Sequence, residues 1–500
     1  MPPPPYSGGP ITIKGQLFGG TLGLMLSTNS SLSRMAVPVL TMADFNSERY
    51  GKAFAAVRVS TKPKNFPIVD RCICGDTDWN DWSSCISALN SLGLNGIETD
   101  PDNIFDLKML EMNGQHLTSG GIYAPPGAEP DTGVTQNATY MKEWAAAQFT
   151  RFFAAGFKAE QLTTFALADE PGWYFPAESP EHYMNTSLNP HAAVLKTEWE
   201  AFLAKNKVTG LTGPPLTNRW QLKSLAAKKR FYWSSRFSSY SSAVAFSRAT
   251  AAMEAATVKG APIYVNFNNF AGRGYVPGPV GNNHDRTNPD AAMLSLDWFE
   301  FGRARGSTLM WTEDWFGDSE ASQWGYYGAR LRSACRLSPS KDVIHGGYIV
   351  PRAGGQLPDG MLMKMMAIVG SGGKALKFYV FGPEYNFPGN CYSEDLIGNP
   401  KMLQSIAKGT GMIGQAEELM YPAERVASEI GILYPRSSFF WDEQDVELPR
   451  GIMDCTNHRM TAGPDYLREV YTLYRTLAEV RMRSPLRMRS PLCKELSLNA

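Results

Sequence analysis

From residue 67 onward the apolar positions alternate between two textures: a short run that reads as a strand, then a longer stretch with apolar residues three and four apart. PIVDRCIC (67–74) predicts a strand, DWSSCISALNSLG (81–93) a helix stopped by Gly93, and LNGIETD (94–100) the next strand. GGIYAPP (120–126) predicts a third strand, and TYMKEWAAAQFTRFFAAG (139–156) a helix ended by glycine. QLTTFALADEP (161–171) reads as a buried strand that runs into carboxylates. After an insertion at 172–220, Phe231, Phe237, Val244, Phe246 and Met253 recur at helical spacing and predict a long helix over 231–256. APIYVNFNNF (261–270), STLMWTEDWF (307–316), VIHGGYIVPR (343–352) and KALKFYVFGPEY (374–385) then predict strands, with helices at 292–306, 322–335 and 359–373 between them.

Eight strand–helix steps over this span predict an α/β chain folded as a (β/α)8 TIM barrel, occupying 67–420. Residues 1–66 begin as a proline-rich arm, and the short apolar runs ITIKGQLFG and FAAVRV suggest a small N-terminal β region. Residues 425–480 hold one strand, EIGILY, and one amphipathic helix, DYLREVYTLYRTLAEV, which together make a partial Rossmann-like unit. One such step cannot cover both faces of a sheet, so exposed apolar surface is expected there, and the chain is expected to be truncated or mis-spliced. The tail, 481–500, contains RMRSPL twice in tandem and is expected to be poorly ordered.

Composition narrows the function classes. The 500 residues carry 48 Lys and Arg against 48 Asp and Glu, so the chain as a whole lacks the basic surplus of a nucleic-acid or anionic-membrane binder. Neither nucleic acid nor membrane is expected as a partner: no stretch approaches the roughly 20 apolar residues of a membrane span, and MPPPPYSGGP is not a signal peptide. Seven scattered cysteines make neither a disulfide framework nor a zinc site, and six histidines include no H-E-x-x-H, so no metal is expected. The 12 Trp, 21 Tyr and 25 Phe mostly fill cores, with enough left over to stack on flat faces such as sugar rings.

The chemistry-bearing residues gather at strand ends, where a barrel keeps its site. Asp169-Glu170-Pro171 closes the fourth strand and is followed by Trp173. Two adjacent carboxylates there raise each other's pKa, which suits a general acid, although a solvated capping pair has the same sequence. Trp311-Thr312-Glu313-Asp314-Trp315 closes the sixth strand and sets carboxylates among rings, an arrangement that can stabilise an oxocarbenium ion or merely brace the next helix. Asn266 and Asn268 close the fifth strand with amides able to hold hydroxyls, or to form a plain polar turn. Glu384 and Tyr385 close the eighth. The run GSGGK (370–374) resembles a phosphate loop but lies between helix and strand in the wrong order. His345, inside an apolar strand, reads as a core histidine.

Taken in order, ALADEP, FSRATAAMEAATVKGAPIYVNFNNF, GMLMKMMAIVGSGGKALKFYVF and EIGILYPRSSFFWD resemble the clan A glycoside hydrolases, most nearly the family 42 β-galactosidases, over about 67–480. The resemblance implies a barrel that cleaves O-glycosidic bonds of a carbohydrate with two carboxylates and retention of configuration, without any cofactor. Glu170 would be the general acid/base and Glu313 the nucleophile or base. Asp169, Asp314 and Glu384 would be supporting or substitute carboxylates. Trp173, Asn266, Asn268, Trp311, Trp315 and Tyr385 would bind substrate. The C-terminal unit resembles the start of a trimerisation domain, which implies a homo-oligomer if it were complete. Two features depart from the family: Asp169 stands where its members carry Asn, and the seventh strand, GGYIVPRAGG, offers no Glu. Either a strand is hidden near KKRFYWSS, making 307–316 the seventh, or the second carboxylate has moved. A barrel that binds glycan without cleaving it is the alternative.

Overall fold

The computed structural model describes residues 54, 56–72, 82–99, 101, 103–112, 115–119, 134–169, 187, 192–213, 224–267, 297–313, 323–350, 357–381, 400–424, 431–434, 465–479 and 487–489. In chain order they form β1 (Ile68–Cys72), α1 (Trp82–Leu92), β2 (Gly96–Thr99), α2 (Ile104–Met112), β3 (His116–Ser119), α3 (Ala138–Gln148), α4 (Thr150–Ala154) and β4 (Leu162–Asp169). Next come α5 (Ala192–Lys205), α6 (Leu225–Ala256), β5 (Ile263–Phe267), α7 (Trp298–Ala304), β6 (Leu309–Thr312), α8 (Gln323–Cys335), β7 (Ile344–His345), β8 (Gly347–Ile349), α9 (Pro358–Gly370), β9 (Leu376–Phe381) and α10 (Pro400–Met420). The chain ends in β10 (Gly431–Leu433), α11 (Asp465–Glu479) and β11 (Arg487–Arg489).

Nine strands pair in the order β7-β6-β5-β4-β3-β2-β1-β9-β8, all parallel. The two ends of that row, β7 and β8, are consecutive pieces of one extended run split at Gly346. Glu313, just beyond β6, bridges in parallel to Tyr348 of β8. A Cβ at Gly346 would stand 2.4 Å from the Ala375 carbonyl oxygen, so glycine is what lets the run pass this close to β9.

Strand alternation sorts side chains into two separate apolar clusters. Ile68, Ile97, Leu117, Phe165, Val265, Met310, Ile349 and Phe378 belong to the large one, which takes in residues of the surrounding helices such as Leu89, Phe152, Phe246, Leu331 and Leu403. Val69, Ala166, Tyr264, Leu309, Trp311, Tyr348 and Ala375 face the other way and form a small cluster of their own. These residues share the inner face of the sheet, the side turned away from the helices.

Several expectations need correcting. The third strand is His116–Ser119, not 120–126, a segment outside the described residues. Leu117 alone anchors it in the outer core, too little apolar content to mark four residues in sequence. The segment near KKRFYWSS is helix α6, capped by Ser224, whose Oγ accepts from Ala227 N, so no strand hides there and Glu313 follows the sixth strand. The helix expected over 139–156 is broken at Phe149, whose fully buried ring packs on Phe152 and Phe165. In FAAVRV, residues 56–59 form no strand, although Phe54 and Val57 are buried in the main core. Residues 11–53, where the rest of the β region was expected, lie outside the described residues.

The C-terminal segment docks on α7 and α8. Arg330 of α8 lies over the rings of Trp298, Tyr326 and Tyr434, and its Nη2 donates to the Tyr434 hydroxyl at 3.1 Å. Tyr326 also packs edge-on against Tyr471 and Tyr474 of α11. Leu433 and Leu473 are exposed. Of the tail only residues 487–489 lie among the described residues; there the second RMRSPL copy supplies β11, which pairs in parallel with β10.

Candidate functional site at the carboxyl ends of the strands

The ends of β4, β5 and β6 bring three of the expected positions side by side. A bulge between Ala166 and Ala168 shifts the register of β4, so that Asp169 stands opposite Asn266, and Asn266 in turn stands opposite Trp311. Two residues beyond Trp311, and so on the same face of its strand, is Glu313. Its backbone N–H donates to Phe267 O at 3.2 Å, and the neighbouring Thr312 Oγ1 donates to the same carbonyl at 2.8 Å, which fixes the end of β6.

Glu313 and Asn266 are both buried, and Asn266 Nδ2 donates to Glu313 Oε2 at 3.2 Å. A carboxylate that accepts from a neutral amide is oriented by it, because the donor adds a hydrogen bond without bringing a counter-charge. Such a group can act as a nucleophile, as a base, or as the stabiliser of a cation above it.

Trp311 sits deeper than its expected role suggests. It is fully buried, with its ring 4.3 Å from that of Tyr264 and 6.4 Å from that of Tyr348. Its ring is tilted by 44° to that of Tyr264, on the same face of the sheet as Glu313. Asp169 is placed by its backbone. Glu170, Trp173, Asn268, Asp314, Trp315, Glu384 and Tyr385 lie outside the described residues. His345 is the buried core histidine expected, with Nε2 3.2 Å from Ser371 Oγ.

A charged group on the inner face of the sheet was not expected from the sequence. Lys377 Nζ lies 2.7 Å from Glu98 Oε1 and 2.8 Å from the Tyr264 hydroxyl, and that hydroxyl also bonds to Glu98. The ammonium lies 4.9 and 4.7 Å from the ring centroids of Tyr264 and Tyr348. Glu98, Tyr264 and Lys377 come from β2, β5 and β9, so the group ties three separated strands together. The available signals were a Glu inside LNGIETD and a Lys inside the otherwise apolar ALKFYVF, neither of which names its partner.

Among the described residues, no group of three or more His, Cys, Asp or Glu is placed to hold a metal ion, and no helix is long and apolar enough to cross a membrane.

No family model matches the chain, and no curated protein matches it. Solved structures do. A β-galactosidase from the psychrophilic Marinomonas ef1 aligns with a TM-score of 0.51 at 10% identity, over 85% of this chain and 70% of that one. The polyextremophilic β-galactosidase from the Antarctic haloarchaeon Halorubrum lacusprofundi gives a TM-score of 0.53 at 11% identity, over 86% and 67%. At these identities the likeness is one of fold.

Proposed function

We propose that this chain is a glycoside hydrolase related to clan A, and most like the family 42 β-galactosidases, with its strands closed as a (β/α)8 barrel around the lumen. The observation that carries the reading is the buried Glu313 carboxylate, held by Asn266 at the carboxyl ends of neighbouring parallel strands. Barrel enzymes keep their chemistry at that end, and the two β-galactosidases share the fold.

In this mechanism Glu313 attacks the anomeric carbon, or activates a water that does, and Glu170 protonates the departing oxygen. A carboxyl–carboxyl separation of roughly 5–5.5 Å gives a covalent glycosyl-enzyme and retention; roughly 6.5–9.5 Å gives inversion. The kinship with clan A favours retention. Asn266, beside the carboxylate, would hold a hydroxyl of the bound sugar, and no cofactor enters the scheme.

The test is a panel of nitrophenyl β-glycosides assayed with wild type, Glu170→Gln and Glu313→Gly. Glu313→Gly is expected to lose hydrolysis and recover turnover with added azide, which replaces the missing nucleophile. Glu170→Gln is expected to hurt poor leaving groups most, since they need protonation most. Equal losses for good and poor leaving groups would remove Glu170 from the acid role. A second reading, a barrel that binds glycan without cleaving it, draws on the run Ile344 to Ile349, which carries no carboxylate. Binding of a sugar by wild type with no turnover on any member of the panel would favour it.

A further inference from the structure

The neutrality of the whole chain conceals a local surplus. Between 192 and 240 the sequence holds nine Lys and Arg against two acids. Both acids are engaged, Glu198 by Arg248 at 2.6 Å and Glu200 by Lys196 at 3.9 Å. Lys205, Lys207, Lys228 and Lys229 are exposed, and Arg230 and Arg236 are half-buried.

These cations stand on a structure of their own. Helix α6 has 32 residues, or roughly 48 Å at the usual helical rise, whereas β5, which it leads into, has five residues and spans about 17 Å. The C-terminal half of α6 packs on the main core through Ala243, Phe246, Ala249 and Met253. It is tied to the amino end of β6 by Thr250 Oγ1, which donates to Gly306 O at 2.8 Å, and by Glu254, which pairs with Arg305. At that length α6 far outruns the strand it leads into. Its N-terminal half packs on α5 around a separate cluster of Trp199, Phe202, Leu203 and Phe237, while Tyr232 still packs on the main core. Trp233 and Tyr240 flank the separate cluster half-buried, with Arg236 over the Trp233 ring at 4.9 Å and Lys205 over the Tyr240 ring at 5.2 Å.

We propose that this projecting α5–α6 wall binds an anionic polysaccharide, one bearing sulfates or carboxylates, and leads its chain to the site at the strand ends. The inference rests on the glycosidase reading and adds the class of substrate. The cations supply charge complementarity, and half-buried rings among them supply faces for sugar rings. A phosphate backbone would use the same charges, so nucleic acid is the outcome to be tested against.

The experiment measures retention of the full chain on dextran sulfate, polygalacturonate, neutral dextran and duplex DNA, at increasing salt. Binding to dextran sulfate or polygalacturonate is expected, with none to dextran; which of the two is retained separates sulfate from carboxylate recognition. Lys228→Glu/Lys229→Glu is expected to weaken that binding at least tenfold, and Trp233→Ala to weaken what survives at high salt. Glu313→Gly should bind like wild type, because it leaves the wall untouched. Binding unchanged in the Lys228/Lys229 variant, or duplex DNA retained as strongly as the charged glycans, would overturn the proposal. Charged-glycan binding without hydrolysis of any aryl glycoside would instead sink the enzymatic reading and leave the wall standing.

Discussion

Two clusters of buried charge show how differently this fold uses ion pairs. On the inner face of the sheet, Lys377 and Glu98 face each other beside the Tyr264 hydroxyl and the rings of Tyr264 and Tyr348, and neither side chain is more than 6% exposed. At the amino end of the strands, Arg305 pairs with both Glu254 and Asp342, where the Asp342 side chain is 29% exposed. Water can still reach the Asp342 side of the second cluster and can replace a partner lost there. The inner pair is too buried for that. Burial of a pair in a dry interior recovers its desolvation cost only through good geometry, and removing one partner strands the other. The inner pair is therefore fragile to single changes and tolerant of paired ones, while Asp342 in the outer cluster responds to pH.

The largest effect expected from this contrast is at Lys377. Lys377→Met leaves Glu98 buried without its cation and should destabilise the fold by about 3–5 kcal/mol. Adding Glu98→Leu should recover much of that loss, since an apolar pair of similar size carries no stranded charge. Denaturant midpoints of the wild type, both single variants and the double variant decide the matter. A double variant no better than Lys377→Met would mean that the ion pair is not the source of the loss. Tyr264→Phe, which removes one hydroxyl from the same group, should cost about 1–3 kcal/mol, because Lys377 and Glu98 each lose a hydrogen bond but keep each other.

The same contrast explains what could be read from the sequence. Apolar periodicity announced seven of the strands and most of the helices, because Val265, Met310 and Phe378 on the outer face and the helix stripes opposite them are local patterns. Glu313 and Asn266 were legible for a similar reason: each follows an apolar run directly, where a strand must end. His116–Ser119 was not, since a single leucine carries its burial. The Glu98–Tyr264–Lys377 group was invisible because it joins residues up to 279 positions apart, and alternation says only that each faces inward. A zero sum of charge over 500 residues does not show the basic run of 192–240, which appears only when the count is taken locally. The β11 pairing was missed because a tandem hexapeptide gives no apolar alternation from which to infer a strand.

The smallest effect belongs to the outer cluster, and its sign can be worked out. Arg305 ends α7 in the left-handed region, at φ 57°, and its guanidinium reaches both Glu254 and Asp342. That guanidinium, through a side-chain hydrogen bond, holds the Asp342 carboxyl below its ordinary value, with Ser340 contributing a further bond. A carboxylate whose pKa is depressed on folding adds stability that is fully present above the ordinary aspartate range and is lost as pH falls through the depressed folded value. Wild type should therefore lose part of its stability on acidification below about pH 4, where unfolded aspartate takes up its proton. Arg305→Gln should flatten that part of the profile while costing about 1 kcal/mol at neutral pH, in keeping with a partly solvated pair. Denaturation midpoints of both proteins between pH 3 and 7 make the comparison. Parallel curves for wild type and Arg305→Gln would show that Asp342 is not held by Arg305, and the distinction between a dry pair and a wet one would lose its second half.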